Sequence, residues 1–177
     1  MAGLKGGPTQ EEVLAVVLHK LELGPGDRVL DLGCGTGRVS IAAGARVAEV
    51  VAIDRRPEAI AYATQQAEEA QVNNIRFIEG EAADLLPGLG TFDAAFVGGS
   101  RGLDTLLGLL ADRVRRRIVV NAVLVETLHA ALVRMNDLAI YEEALHLQCS
   151  RAASLAGSFY FRPIDPIFVI VGRGRCS

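Results

Sequence analysis

Three glycines on alternate positions, Gly33, Gly35 and Gly37, follow the acidic residue Asp31 in the stretch VLDLGCGTG, and a second acidic residue, Asp54, stands 21 positions after the first glycine. Glycines spaced this way leave bare backbone that can approach a ligand and take turns that a side chain forbids. Two ligand classes use such a loop. A dinucleotide presents its pyrophosphate to G-x-G-x-x-G at a helix N-terminus. Here the spacing is G-x-G-x-G and a carboxylate precedes it, which suits a cationic ligand with an ammonium group better than a pyrophosphate. Asp54, at the end of a second apolar run, is placed to accept hydrogen bonds from both hydroxyls of a ribose. Cys34 reads as a small filler in the loop, since no sequence neighbour would activate its thiol.

A loop of this kind works at the end of a strand, and the surrounding pattern supplies one. Arg28 to Leu32 reads as a strand, with a helix after Gly37, a second strand from Glu49 to Ile53, and a helix opened by Pro57 that repeats Ile60, Ala63, Ala67 and Ala70 on one face. Upstream, Thr9 and Glu12 form a capping-box pattern ahead of a helical stripe of Val13, Val16, Val17 and Leu21, stopped by GPGD. Further strands are predicted at Ile75 to Ile78, Ala94 to Val97 and Ile118 to Val123, with a leucine-rich helix from Leu103 to Val114 and a helix from about Glu126 to Asn136. The run Arg115-Arg116-Arg117 reads as a solvated helix end helped by the dipole. Ala139 to Gln148 alternates as a strand, SRAASLAG reads as a polar turn or loop, and SFYFRPIDPIFVIVGR as one last strand. Apolar strands separated by helices mark a parallel sheet covered on both faces, and the closing pair, joined without a helix, pairs antiparallel. The expected fold is therefore α/β and Rossmann-like: a seven-stranded, mostly parallel sheet with a C-terminal antiparallel hairpin, in one domain over residues 1–177.

Composition narrows the function further. A net charge of -3 over 177 residues argues against a protein that grips a nucleic-acid backbone, which needs concentrated Lys and Arg. Three scattered cysteines make neither a disulfide framework nor a metal site and point to a reduced cytoplasm. No signal peptide and no membrane span is expected.

The D-x-G-x-G-x-G loop followed by Asp54 resembles the first two motifs of class I S-adenosylmethionine methyltransferases. That resemblance implies S-adenosyl-L-methionine as cofactor, with Asp31, Gly33, Cys34, Gly35, Thr36, Gly37 and Asp54 around it and Ala82 of EGEAAD beside the adenine. The end of the fourth strand reads FVGGS, without the D/N-P-P-Y/F of amino-methylating DNA and RNA enzymes or the cysteine of cytosine carbon-5 enzymes. A longer set of segments, GGPTQEEV, AIDRRPEAI, EGEAADLL, AFVGGSRG, IVVNAVLVET and LAGSFYFRPIDPI, resembles the decarboxylating cobalt-precorrin C15-methyltransferase family of the anaerobic cobalamin pathway, from about Gly7 to Val171. The family pattern has Asp where this chain has Glu81, and Asn where it has Asp165, close to the expected substrate mouth.

The family resemblance implies methyl transfer to carbon 15 of a late corrin precursor with loss of carbon dioxide from the ring C acetate. It further implies a homotetramer, and a carbon-5 precorrin methyltransferase as functional partner. Thr9 is placed at the cofactor's rim. Arg38, Gly99, Ser100, Arg101 and Arg162 are candidates to receive the carboxylate-rich tetrapyrrole, bidentately where an arginine is involved. Asn121 and Glu126, after the fifth strand, are the catalytic candidates, to orient the substrate or handle a proton; Glu126 equally suits the start of its helix. Two alternatives stay open: another small-molecule acceptor on the same fold, and a non-catalytic module that binds the cofactor without turnover.

Overall fold

The computed structural model describes residues 9–99 and 101–176. Five strands, β1 (Arg28–Leu32), β2 (Glu49–Asp54), β3 (Ile75–Glu79), β4 (Phe92–Val97) and β5 (Val114–Ala122), run parallel. The chain then forms β6 (Tyr141–Leu147), β7 (Ser150–Leu155), β8 (Ser158–Pro163) and β9 (Ile167–Arg173). The main sheet has the order β3-β2-β1-β4-β5-β9-β6, with β9 antiparallel to both of its neighbours. The strand order turns back between β1 and β4, which opens a crevice at the carboxyl edge.

Helices cover both faces. On one lie α1 (Glu11–Leu21), α2 (Arg38–Gly44) and α3 (Pro57–Glu69); on the other lie the short α4 (Ala82–Leu85), α5 (Leu103–Ala111) and α6 (Val125–Asp137). Strand alternation divides the core accordingly. Leu30, Leu32 and Ile53 pack with Leu107, Leu110 and Met135, while Val29, Val50 and Phe96 pack with Val17, Leu21 and Val39. Among the described residues no helix is long and apolar enough to cross a membrane.

Four expectations need correction. The first helix has Gln10 as N-cap with no side-chain cap bond; Glu12 instead accepts both arms of the Arg151 guanidinium at 2.8 Å, a bidentate charged contact stronger than one backbone cap. The segment SRAASLAG is strand β7 and its turn: Ala156 and Gly157 both take positive φ (48° and 80°), the conformation of a two-residue hairpin turn. The last predicted strand is divided at Pro163 to Pro166, because proline breaks a ladder that needs its N–H. Its first part joins the exposed β7–β8 hairpin, and its second enters the main sheet between β5 and β6. Finally, Arg115, Arg116 and Arg117 open β5 rather than ending a helix. They pair with Asp93, Asp27, Glu22 and Glu142 at the sheet edge opposite the crevice.

Candidate functional site

The glycine loop follows β1 directly. Gly33, Gly35 and Gly37 all adopt positive φ (74°, 55° and 77°), so the sequence spacing marks three left-handed turns that other residues take at a cost. At Gly33 space matters as well, since a Cβ there would lie 3.1 Å from the Gly99 nitrogen. The loop is pinned to the next strand: the N–H groups of Gly33 and Cys34 donate to the Ile53 carbonyl, and that of Gly35 donates to Asp54 Oδ2 at 2.9 Å.

Asp54 is almost wholly buried and its carboxylate is fully engaged. Oδ1 accepts from the Arg56 backbone N–H (3.1 Å) and Nε (2.9 Å), while Oδ2 accepts from the Gly35 N–H and from Arg56 Nη2 (3.0 Å). Four donors occupy the carboxylate's four lone-pair directions. Burial works against the charge of Asp54, yet the Arg56 side chain, the Arg56 N–H and the Gly35 N–H outweigh it and hold the carboxyl below its ordinary value. Arg56, two residues past Asp54, is a site residue that the sequence reading passed over.

Asp31 behaves differently. It is 1% exposed, it shares the sheet face of Val29, and it accepts a hydrogen bond from Ser40 of α2, leaving Oδ1 buried without a partner. Burial pushes its pKa up to about 7, with the Ser40 contacts pulling the other way and the Asp54 charge adding to the rise. Its carboxyl does not line the crevice. Burial also raises the Cys34 thiol far above its ordinary value, reinforced by Asp31 and Asp54, which suits a filler and not a nucleophile.

The crevice contains a cavity of about 510 Å³, within the range of small-molecule sites. Backbone from Gly33 to Thr36, Asp54, and Gly80 to Ala82 line one side; Val97 to Gly99 and Leu106 line the other. Arg38, Arg55, Arg56 and Arg101 give it a net basic rim against Asp54 and Glu81, and Arg38 donates to the Thr9 carbonyl at 2.9 Å. A second cavity of about 360 Å³ adjoins it and shares Thr9, Phe96 and Gly98 with it. Its further walls come from the end of β5, the start of α6 and the segment from Ile164 to Ile167. Asn121 lines this second cavity, and its Oδ1 is buried with no hydrogen-bond partner.

The expected site residues therefore divide. Thr9, Gly33, Cys34, Gly35, Thr36, Asp54, Ala82, Arg38, Gly99 and Arg101 meet around the first cavity, and Asn121 joins the second. Gly37 serves as the N-cap of α2. Glu126 lies exposed in the first turn of α6, outside both linings, where its charge favours the helix N-terminus. Arg162 sits on the exposed β8 opposite Arg151, outside both linings, because the chain turns out into the hairpin before it returns as β9. Ser100 lies outside the described residues. Among the described residues no three His, Cys, Asp or Glu side chains gather to hold a metal ion. The second cavity was legible in part, through Thr9, Asn121 and Asp165.

Comparison with known proteins agrees with this geometry. The family described as precorrin methyltransferase domain matches residues 5–172. A probable cobalt-precorrin-6B C(15)-methyltransferase (decarboxylating) of Methanosarcina acetivorans is 41% identical, over 98% of this chain and 97% of that relative. The Salmonella typhimurium cobalt-precorrin-6B C(15)-methyltransferase (decarboxylating) is 35% identical, over 92% and 86%. The crystal structure of a precorrin-8w decarboxylase from Methanobacterium thermoautotrophicum superposes with a TM-score of 0.91 at 33% identity, covering 94% of this chain and 91% of that one. The chain belongs to the precorrin methyltransferase family.

Proposed function

We propose that the protein is an S-adenosylmethionine-dependent C-methyltransferase of cobalamin biosynthesis. It acts on cobalt-precorrin-6B, methylating carbon 15 and releasing the ring C acetate as carbon dioxide. The names of its relatives support the acceptor. The observation that carries the reading is the shared wall: two cavities open side by side at the carboxyl edge and meet at Thr9, Phe96 and Gly98, so that donor and acceptor are held against one another.

The first cavity fits the cofactor in size and in chemistry. Asp54 offers a charged acceptor at the ribose position, Val97, Ala82 and Leu106 give an apolar flank, and the glycine loop presents bare backbone. Bound there, S-adenosylmethionine supplies a methyl group on a positively charged sulfur. Because Asp54 has no acceptor direction left, Arg56 yields its fork to admit ribose hydroxyls. Arg38 holds Thr9 over the cavity and helps exclude water. Arg55 and Arg101 at the rim, with Gly99, receive peripheral carboxylates of the tetrapyrrole. Asn121 orients the acceptor in the second cavity through its unpartnered Oδ1. The work of the protein is alignment of donor and acceptor more than acid–base chemistry.

The β7–β8 hairpin supports the homotetramer. Phe159 and Phe161 are 80% and 73% exposed on one face of a two-stranded ribbon, and such a ribbon is marginal in water unless its apolar face is covered. Light scattering should give four chains, and Phe159→Ser with Phe161→Ser should give smaller species. We place the enzyme in the cytoplasm, working with a carbon-5 methyltransferase. The functional reading is tested by anaerobic incubation with S-adenosylmethionine and cobalt-precorrin-6B, reading product mass: gain of one methylene and loss of carbon dioxide is expected, and an unchanged precursor would overturn it.

A further inference from the structure

The two adjoining cavities have opposite electrostatic character. The first is lined by four arginines, Arg38, Arg55, Arg56 and Arg101, against two carboxylates, Asp54 and Glu81, so its lining is net basic. The second is walled mainly by apolar side chains, among them Val13, Phe96, Val123, Leu124, Ile164 and Ile167, with the neutral Thr9, Gln10 and Thr127 between them. Among the described residues it has no cation on its lining, and its one charged side chain is Asp165. Asn121 adds a buried carbonyl oxygen without a partner, a group that accepts hydrogen bonds and gives no support to a negative charge beside it.

We infer that the second cavity is the decarboxylation pocket: it receives the carboxymethyl arm of the acceptor and withholds stabilisation from its carboxylate. This rests on the functional reading above. A carboxylate in water or beside an arginine keeps its charge localised and well stabilised, whereas an apolar wall takes that stabilisation away. In the step itself, the bond from the arm's methylene to its carboxyl carbon breaks and carbon dioxide leaves uncharged. The electron pair passes into the conjugated macrocycle, where it serves the bond to the transferred methyl carbon, while the bond from that methyl to the sulfonium sulfur breaks and its pair stays on sulfur as the neutral thioether. The methylene takes up one proton, and the newly methylated carbon gives one up, through water. Charge is dispersed on the way to this transition state, so an apolar pocket disfavours the ground state more than the transition state and speeds the step. The arginine rim then has the complementary task of holding the carboxylates that stay.

The assignment makes an unusual demand on a cation introduced into the pocket: it should improve binding and damage turnover together. Val123 and Leu124 are 64% and 59% exposed and sit at the lip of the cavity, so arginine is accommodated at either. The experiment measures carbon dioxide release and methyl transfer by wild type, Leu124→Arg and Val123→Arg, with cobalt-precorrin-6B varied at saturating S-adenosylmethionine. Affinity for S-adenosylhomocysteine serves as the check on the first cavity. We expect kcat for carbon dioxide release to fall at least about tenfold in each variant while KM for the tetrapyrrole also falls, the pattern of a ground state made more stable. A merely damaged pocket would raise KM. An unchanged kcat, or a lower kcat with a raised KM, in both variants overturns the pocket assignment while leaving the methyltransferase reading intact. A wild-type chain that leaves the tetrapyrrole unchanged overturns the functional reading and this inference with it.

Discussion

Asp31 and Asp54 stand on neighbouring parallel strands at the same edge of the sheet, both almost wholly buried, and the fold drives their carboxyl groups in opposite directions. Asp54 meets two backbone N–H groups and the fork of Arg56, and stays ionised. Asp31 meets one hydroxyl, and its pKa rises to about 7. Burial alone does not decide the charge of a carboxylate; the donors that reach it do. Asp27 marks a third condition. It is paired with Arg116 at 2.5 Å on the far edge, and it accepts from the Gly24 N–H at 2.6 Å. The pair at the crevice lines a cavity, and the pair on the far edge ties strand ends together.

The contrast is broken most strongly at Asp31. Its folded pKa lies above the ordinary value of 3.8, so the native state binds more protons than the unfolded chain between the two values. This contribution is present in full at low pH and is lost as pH rises toward 7. Asp31→Asn removes it, and the stability of the variant relative to wild type should climb across that window by on the order of 4 kcal/mol. Denaturant melts at pH 4.5 and pH 7.5 check this; parallel curves would mean that Asp31 is not held neutral.

At Asp54 the expected effect is on binding. Asp54→Asn removes the charged acceptor and should weaken S-adenosylhomocysteine about 10- to 100-fold by calorimetry, the loss typical of a hydrogen bond to a charged group. Asp27→Asn should do the converse, costing about 1 kcal/mol of stability in a denaturant melt and leaving ligand affinity alone. The smallest effect sharpens the comparison most. If Arg56 competes with a ribose for Asp54, Arg56→Ala should bind adenosine about threefold tighter than wild type, with little change for 2′,3′-dideoxyadenosine; equal changes for the two nucleosides would remove competition at the diol.

Much of the first cavity was legible because its requirements are local. Left-handed turns at Gly33, Gly35 and Gly37 demand glycine wherever the loop sits, and Asp54 closes a strand that its own apolar run announces. The Asp54 to Arg56 fork was within reach of the sequence, two residues along, yet nothing in a dipeptide says that a guanidinium will fold back onto the preceding carboxylate. Arg162 and Glu126 lie outside the two cavity linings for a different reason. Their distance from the crevice depends on where a hairpin and a helix face point, and neither direction is written in the neighbouring residues.

What the sequence determined by itself is the alternation of strands and helices, the glycine loop at the end of β1 and the acidic residue at the end of β2, because periodicity and backbone conformation are properties of short segments. The tertiary structure alone decided that β9 enters between β5 and β6, that Pro163 to Pro166 separates an exposed hairpin from a buried strand, and that Asn121, Leu124 and Ile164 close one apolar cavity. Those outcomes join segments twenty or more positions apart, and they follow from which surfaces pack together, a choice made only when the whole sheet assembles.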